Sequence, residues 1–302
     1  RAAKGYRRLG DTVSREDEGD CNQVRKALRW AGLLVVTAAA LLIYAFFEAR
    51  HDPVLRTTTI SLVGLPPGNP PLKVALISDT HLASPDNSVE RLNRLVDQVN
   101  SGRPDIVLLA GDYIGEGKHF SDWPSRKEAV APFARLKPKL GVVAVLGNHD
   151  HWADAREVAQ ALSAVGATVL INQAVRLGPI TIGGIDDDFV GKADAGATIR
   201  QARELGGPLL LLTHSPDIFP ELPAGSVLLA GHTHCGQVTV PFVGAPYVPS
   251  RFGNRYRCGR YDESGKTLIV SSGIGTSVIP LRFGAMPDWW LLTLVPPRGP
   301  TI

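Results

Sequence analysis

Little in this chain points to a scaffold held by cross-links. Three cysteines in 302 residues, Cys21, Cys235 and Cys258, with no C-x-x-C pair, exclude a disulfide-dense framework, a zinc knuckle and a thioredoxin-type redox site. A single Cys235–Cys258 bridge stays open. Glycine (31) and proline (23) stand near ordinary usage, and no internal repeat is visible, which excludes fibrous and low-complexity architectures. Excess charge of one sign is missing outside the N-terminus. Residues 1–30 carry eight Lys/Arg against five Asp/Glu, and the remainder carries 24 of each. A neutral body of this kind offers no basic footprint for nucleic acid.

Charge is absent altogether from Ala31–Phe47, a 17-residue apolar run that becomes 18 with Trp30. Its length sits at the short end of what spans a bilayer, and it lacks the polar stripe of a buried amphipathic helix. Arg25, Lys26 and Arg29 precede it, whereas only Arg50 and Arg56 follow closely, so positive-inside bias keeps the N-terminus in the cytoplasm. Phe46-Phe47-Glu48 stands where a small-x-small cleavage signal would lie, favouring an uncleaved anchor. Arg7-Arg8 lies too far upstream to favour twin-arginine export. The chain begins at Arg1 rather than Met, so a missing or processed natural start is expected. The expected organisation is a cytoplasmic basic tail (1–30), a single transmembrane anchor (31–47), a juxtamembrane linker (48–56) and an extracytoplasmic domain (57–302).

Beyond the linker, strand-like and helix-like patterns alternate. Thr57–Val63, Lys73–Ser78, Ile106–Ala110, Val142–Leu146, Thr168–Ile171, Ile180–Ile185, Leu209–Thr213 and Val227–Ala230 read as strands, several apolar on both faces. Ser88–Val99, Ser125–Leu136, Ala153–Val165 and Ala197–Leu205 read as helices. This is the pattern of a layered α/β domain with helices covering the sheets, in which sites gather beyond the carboxyl ends of the strands.

Five polar motifs fall at such ends: Asp79-Thr80-His81, Gly111-Asp112, Gly147-Asn148-His149-Asp150, His214, and Gly231-His232-Thr233-His234. They hold five of the eight histidines. Carboxylate, amide oxygen and neutral imidazole are the donors that divalent metals use. Two cations bridged by the Asp112 carboxylate would clamp a phosphoryl group and activate a water as hydroxide. His149 and Asp150 are not needed as ligands, and a histidine beside the metals suits protonation of a leaving alkoxide.

At these residues the chain resembles the calcineurin-like metallophosphoesterase superfamily, whose order D-x-H, G-D, G-N-H-[DE], H, G-H-x-H it reproduces over about residues 57–295. The resemblance implies a four-layer αββα sandwich and two divalent metal ions, with Mn, Fe, Zn or Co all suiting the donors. Asp79, His81, Asp112 and His234 would hold the first metal, and Asp112, Asn148, His214 and His232 the second. His149 would act on the leaving group or transition state, positioned by Asp150. The N-terminal span, the Cys235-Gly236-Gln237 extension, Ser272–Thr276 and Pro280-Leu281-Arg282 are similar to the bacterial inner-membrane branch. That branch is linked to phosphodiester or pyrophosphate hydrolysis and, by analogy with UDP-2,3-diacylglucosamine hydrolase, to lipid A biosynthesis. Pro287-Asp288 replaces the branch's usual Pro-Glu. The expected partner is a phosphate-ester substrate, lipid- or nucleotide-linked, and the competing reading is a non-catalytic, membrane-tethered metal-binding module.

Further expectations concern single residues. Arg282 is a candidate substrate-phosphate contact set against a surface ion pair. Asp186-Asp187-Asp188 reads as a solvated turn, and His119 and His151 as non-ligands, with His151 near the pocket mouth. Trp289-Trp290 reads as core of the last strand, and Cys235 as a pocket-wall residue rather than a nucleophile.

Overall fold

The computed structural model describes residues 13–82, 87–115 and 125–297; His119 and residues 1–12 lie outside them. The chain divides into two compact units, Arg1–Ala45 and Phe46–Ile302. Helix α1 (Val13–Arg50) contains the apolar run and reaches back into the basic segment expected as a tail. Within it, Asn22–Arg50 is long and apolar enough to cross a membrane. Strand β1 (Val54–Ser61) begins almost at once, so the expected linker 48–56 holds the last turn of α1 and the first residues of β1.

The second unit is built on two six-stranded sheets. The first runs β1, β12 (Asp288–Val295), β2 (Leu72–Ile77), β3 (Ile106–Ala110), β4 (Gly141–Val145) and β5 (Ala167–Val169). The second runs β10 (Gly259–Glu263), β11 (Lys266–Val270), β9 (Val227–Ala230), β8 (Leu209–Leu212), β7 (Ile180–Gly184) and β6 (Gln173–Leu177). β2 to β5 pair in parallel, as do β7, β8, β9 and β11.

The alternation of side chains decides the layers. Leu76, Leu108, Val143 and Val145 of the first sheet meet Ile182, Leu210, Leu212 and Leu229 of the second. Ala75, Ile77, Val107 and Leu109 face the other way, onto α2 (Val89–Ser101) and α4 (Asn148–Ala164). Leu211, Leu228, Leu268 and Val270 form the outer face of the second sheet, where α5 (Ala195–Leu205) covers β6 and β7. The result is the expected αββα sandwich. Each fully buried Leu or Ile contributes roughly 1.5–3 kcal/mol, and strands buried on both faces, such as β3, can therefore be apolar throughout. Trp289 and Trp290 are both buried, one on each face of the sheet, as period two requires.

Local chemistry sets the element ends. Ser88 caps α2 by accepting from Arg91 N, and Leu92, Leu95, Val96 and Val99 form its buried stripe. The helix expected over 125–136 is α only over α3 (Arg126–Val130), because Pro132 lacks an N–H donor and the chain tightens into a 3₁₀ turn. Helix α4 starts at Asn148, five residues before the expected Ala153, so His149 and Asp150 stand in its first turn.

Candidate dimetal centre

Asp79 and His81 follow β2, Asp112 follows β3 and Asn148 follows β4, while His214 follows β8 and His232 and His234 follow β9. Five parallel strands from two sheets thus deliver all seven proposed ligands to one buried place. The loops are held in uncommon conformations. Asp79, His81, Asp112, His232 and His234 all have positive φ, from 38° to 73°, a strained arrangement that persists where the surroundings over-determine it. Close approach also demands glycine. A Cβ on Gly147 would lie 2.8 Å from Asp112 Cγ and closer still to Oδ1, and one on Gly231 would meet Asp79 Oδ2 and Ser78.

The Asp112 carboxylate lies at the middle. Its Oδ2 is 3.2 Å from His214 Nε2, 3.4 Å from His81 Nε2 and 3.9 Å from His149 Nε2. On one side His81 Nε2 and His234 Nε2 are 3.1 Å apart, with Asp79 Oδ1 3.5 Å from His234 Nε2. On the other, His214 Nε2 lies 3.1 Å from His232 Nδ1 and 3.2 Å from Asn148 Oδ1. Backbone carbonyls fix two of the tautomers. His81 Nδ1 donates to Ile114 O and His214 Nδ1 to Ala110 O, which turns the Nε2 lone pairs inward. Lone pairs of nitrogen and oxygen facing one another in a buried space are a donor set that fits divalent cations. Asp79-His81-His234, Asp112-His214-His232 and His81-Asp112-His149 each come within metal-holding reach.

The electrostatics agree with that fit. Burial pushes Asp79 up to about 6, and the neighbouring Asp112 adds to the rise. Burial lowers His81 and His232 to about 3, and His234 well below its ordinary value, so these imidazoles are neutral at neutral pH, as ligands must be. Burial alone would lower His214 and raise Asp112, but their attraction overrides it in both, holding His214 well above and Asp112 well below the usual range.

His149 reaches into the same space from α4. Its ring packs edge-on against His81, with centroids 4.7 Å apart, and its backbone N–H donates to Asp112 Oδ1. Asp150, expected to position His149, works on the loops: its carboxylate accepts from Gly147 N, Asp112 N and Tyr113 N. Standing third in the helix, it points back toward the preceding turn as capping residues do. Burial raises it to about 7, with Asp112 contributing.

Arg282 is not the surface ion pair set against its candidate role. It is fully buried, and its guanidinium donates to the carbonyls of Ala285, Ser272 and Gly275, with Nη2 3.4 Å from His234 Nδ1. A fork turned into backbone carbonyls braces the loop behind His234. The acidic turn is also corrected: Asp186 and Asp187 are buried, Asp186 Oδ1 lies 2.7 Å from His151 Nε2, and burial raises Asp187 to about 6. Their position after apolar β7, matching that of the ligand motifs, was the available signal. Cys235 is bonded to Cys258, which resolves the open pairing and removes it as a nucleophile. Asp288 joins β12 to the site by accepting from Ser271 Oγ, Ser272 N and Arg56 Nε.

A cleft of about 480 Å³ opens onto Asp112, Asn148, His149, His232 and His234. Trp152 and Phe189 line it, the former 4.9 Å from the His149 ring and the latter 4.7 Å from the His232 ring. Neither aromatic was legible as a site residue, because nothing local distinguishes a wall from a core.

Such a carboxylate and imidazole cluster at the carboxyl edge of paired sheets defines a metal-dependent hydrolase. Residues 72–236 match the calcineurin-like phosphoesterase family, to which the chain belongs. It is similar to a Helicobacter pylori J99 metallophosphoesterase, 33% identical over 83% of this chain and 66% of that protein. Phosphodiesterase YaeI of Escherichia coli K12 is 30% identical over 74% of this chain and 83% of its own length. A Danio rerio transmembrane protein with metallophosphoesterase domain is 28% identical over 93% of this chain, and the chain spans 66% of it. The protein is a metal-dependent phosphoester hydrolase of this family.

Proposed function

We propose that the chain is a membrane-anchored, dinuclear phosphodiesterase or pyrophosphatase. The observation that carries the reading is the Asp112 carboxylate, set between the His81 side and the His214 side of one cluster. Asp79, His81, Asp112 and His234 would hold one divalent ion, and Asp112, Asn148, His214 and His232 the other. When bound, such ions supply positive charge that polarises the phosphoryl oxygens and lowers the pKa of water at the site.

The chain's own groups do the rest. Trp152 and Phe189 narrow the cleft and exclude water beside the reacting phosphate. Water adds to phosphorus as one ester P–O bond breaks, and a diester yields a monoester and an alcohol. His149 Nε2, facing the cleft 3.9 Å from Asp112 Oδ2, holds the proton that the departing oxygen takes. Asp150 keeps the loops of Asp112 and Asn148 in register through its three backbone hydrogen bonds.

Anchoring rests on the apolar segment within Asn22–Arg50 and on the transmembrane name of a relative. A cytoplasmic N-terminus then puts the catalytic domain outside the inner membrane, and a Cys235–Cys258 bridge suits that oxidising side. On that face the substrate is a lipid or exported nucleotide phosphoester; the reversed orientation would restore a cytoplasmic lipid A precursor.

The test is hydrolysis of bis-p-nitrophenyl phosphate by the purified chain after chelation and separate addition of Mn²⁺, Zn²⁺, Fe²⁺ and Co²⁺, with His149→Ala alongside. Metal-restored turnover is expected, and the variant should retain its metals while losing about 10²–10⁴-fold in rate. A variant as fast as the parent removes His149 from the chemistry.

A further inference from the structure

The mouth of the cleft carries apolar side chains that no described residue covers. Phe242 is fully exposed, Val278 is 79% exposed, Val243 75% and Tyr247 72%. Tyr247, Val278 and Ile279 line the cleft itself. Phe242 and Val278 also hold positive φ, 65° and 67°, a conformation unfavourable for any side chain and most of all for a β-branched one. Scattered exposed apolar residues need no explanation. Several such residues carried on two neighbouring loops, two of them held outward on strained backbone, mark a binding surface.

Hydrogen bonds lace the two loops that carry these residues into one platform. Val240 N donates to Gly244 O, closing the turn with Phe242 at its tip, while Thr239 N donates to Phe283 O and Phe283 N to Gln237 O. The Gln237 side chain donates to Ile279 O and accepts from Ser277 N. At its inner end the platform touches the chemistry, since Ser277 Oγ lies 3.5 Å from His149 Nε2. At its outer end it is fastened to the last turn of α1: buried Glu48 accepts from Ala285 N at 3.0 Å, and Arg50 Nη1 donates to Pro280 O at 3.3 Å. The apolar run of α1 ends at Phe47, one residue before that fastening.

We propose that this platform, with Phe242, Val243, Val278 and Ile279 outward, seats in the interfacial layer of the bilayer that α1 enters, so that the cleft draws its phosphoesters from amphiphiles embedded there. The inference rests on the membrane and hydrolase readings above and adds the source of the substrate. A soluble protein partner is the competing occupant. The bilayer is the better one because the last turn of α1 and the loop that carries Phe242 are both hydrogen-bonded to the loop of residues 277–285, and because aliphatic tips with a tyrosine beside them match the chemistry of the interface. A lipid phosphoester whose acyl chains stay in the bilayer offers its phosphate at that depth, below which the cleft walls are apolar.

The experiment uses the full chain in phosphatidylethanolamine and phosphatidylglycerol vesicles. Phe242→Trp reports depth: its added tryptophan emission should be quenched by lipids brominated near the top of the acyl chain. Phe242→Ser with Val243→Ser, at positions that do not line the cleft, tests delivery. This double variant should lose at least about tenfold in turnover of a vesicle-embedded diacylglycerol p-nitrophenyl phosphodiester, from the loss of two interfacial anchors, while hydrolysing soluble bis-p-nitrophenyl phosphate within about twofold of the parent. Absence of quenching, or equal turnover of the embedded diester by parent and variant, overturns the proposal and leaves the platform to a protein partner. Quenching without hydrolysis of either diester by the parent sustains the platform and refutes the hydrolase reading instead.

Discussion

Gly147→Ala tests the geometry of the centre with a single methyl group. The backbone there is extended, φ −107° and ψ −179°, so alanine adds no backbone strain. The added Cβ would nevertheless stand 2.8 Å from Asp112 Cγ and 2.8 Å from Asp112 N, and nearer still to Oδ1. Ordinary carbon contacts are about 3.5–4 Å, so the carboxylate must retreat by roughly 1 Å. It has nowhere to go without loss. Oδ1 accepts from His149 N at 2.9 Å, and Oδ2 faces His81 and His214 at 3.4 and 3.2 Å. A displacement of that size at a reacting centre costs about 10²-fold, or roughly 2.7 kcal/mol of barrier; the overpacking itself costs about 1–3 kcal/mol of stability. The assay is turnover of bis-p-nitrophenyl phosphate at saturating metal, with metal content by mass spectrometry and folding by circular dichroism. Gly196→Ala, in the first turn of α5 against flexible Asp194 and Arg200 side chains, is the control and should be silent. A folded Gly147→Ala protein with turnover within about threefold of the parent would show that Asp112 does not sit where the argument places it.

Asp112→Ala and His232→Ala should each abolish turnover and lower bound metal, because Asp112 serves both sides of the cluster and His232 one; an Asp112 variant with full activity sinks the shared-carboxylate reading. In the chelated protein, Asp187 has a folded pKa of about 6 against an ordinary 3.8, raised first by burial. Its contribution to stability is therefore fully present below pH 4 and lost as pH rises through about 6, roughly 3 kcal/mol in all. Denaturant melts of Asp187→Asn should lack that loss, and parallel pH profiles would refute it. Cys258→Ser opens a bridge between residues 23 apart in sequence, which should cost about 3 kcal/mol and lower the melting temperature by roughly 6–12 °C; an unchanged melt under oxidising conditions would contradict the bridge.

Much of the site was legible because its motifs share one grammar: an apolar run, then a glycine or short polar step, then carboxylate, amide or imidazole. The strands that carry them, β2, β3, β4, β8 and β9, are buried on both faces and so announce themselves by composition alone. Strands β6, β10 and β11 lie toward or at the edge of the second sheet and escaped the reading. Half-exposed Gln173–Leu177 and Gly259–Glu263 alternate too weakly to stand out. Asp187 and Arg282 were misplaced for a related reason. Charged residues are usually solvated, and burial of either depends on partners supplied by the fold: the His214 charge and the backbone N–H groups of Phe189 and Val190 for one, four loop carbonyls for the other.

What the sequence determined by itself was the αββα class, the family, the apolar N-terminal helix and the seven motif residues that gather in the site, because each is written in local periodicity or in short motifs whose donor chemistry is intrinsic to the residues. Tertiary structure alone decided that the Asp112 carboxylate lies between His81 and His214, that Asp150 braces loops, that Arg282 is buried and that Cys235 pairs with Cys258. It also decided that Phe242 and Val278 stand outward on one platform tied to the last turn of α1. These are relations between segments up to about 240 residues apart, set by how two sheets close on each other, and no window of sequence contains them.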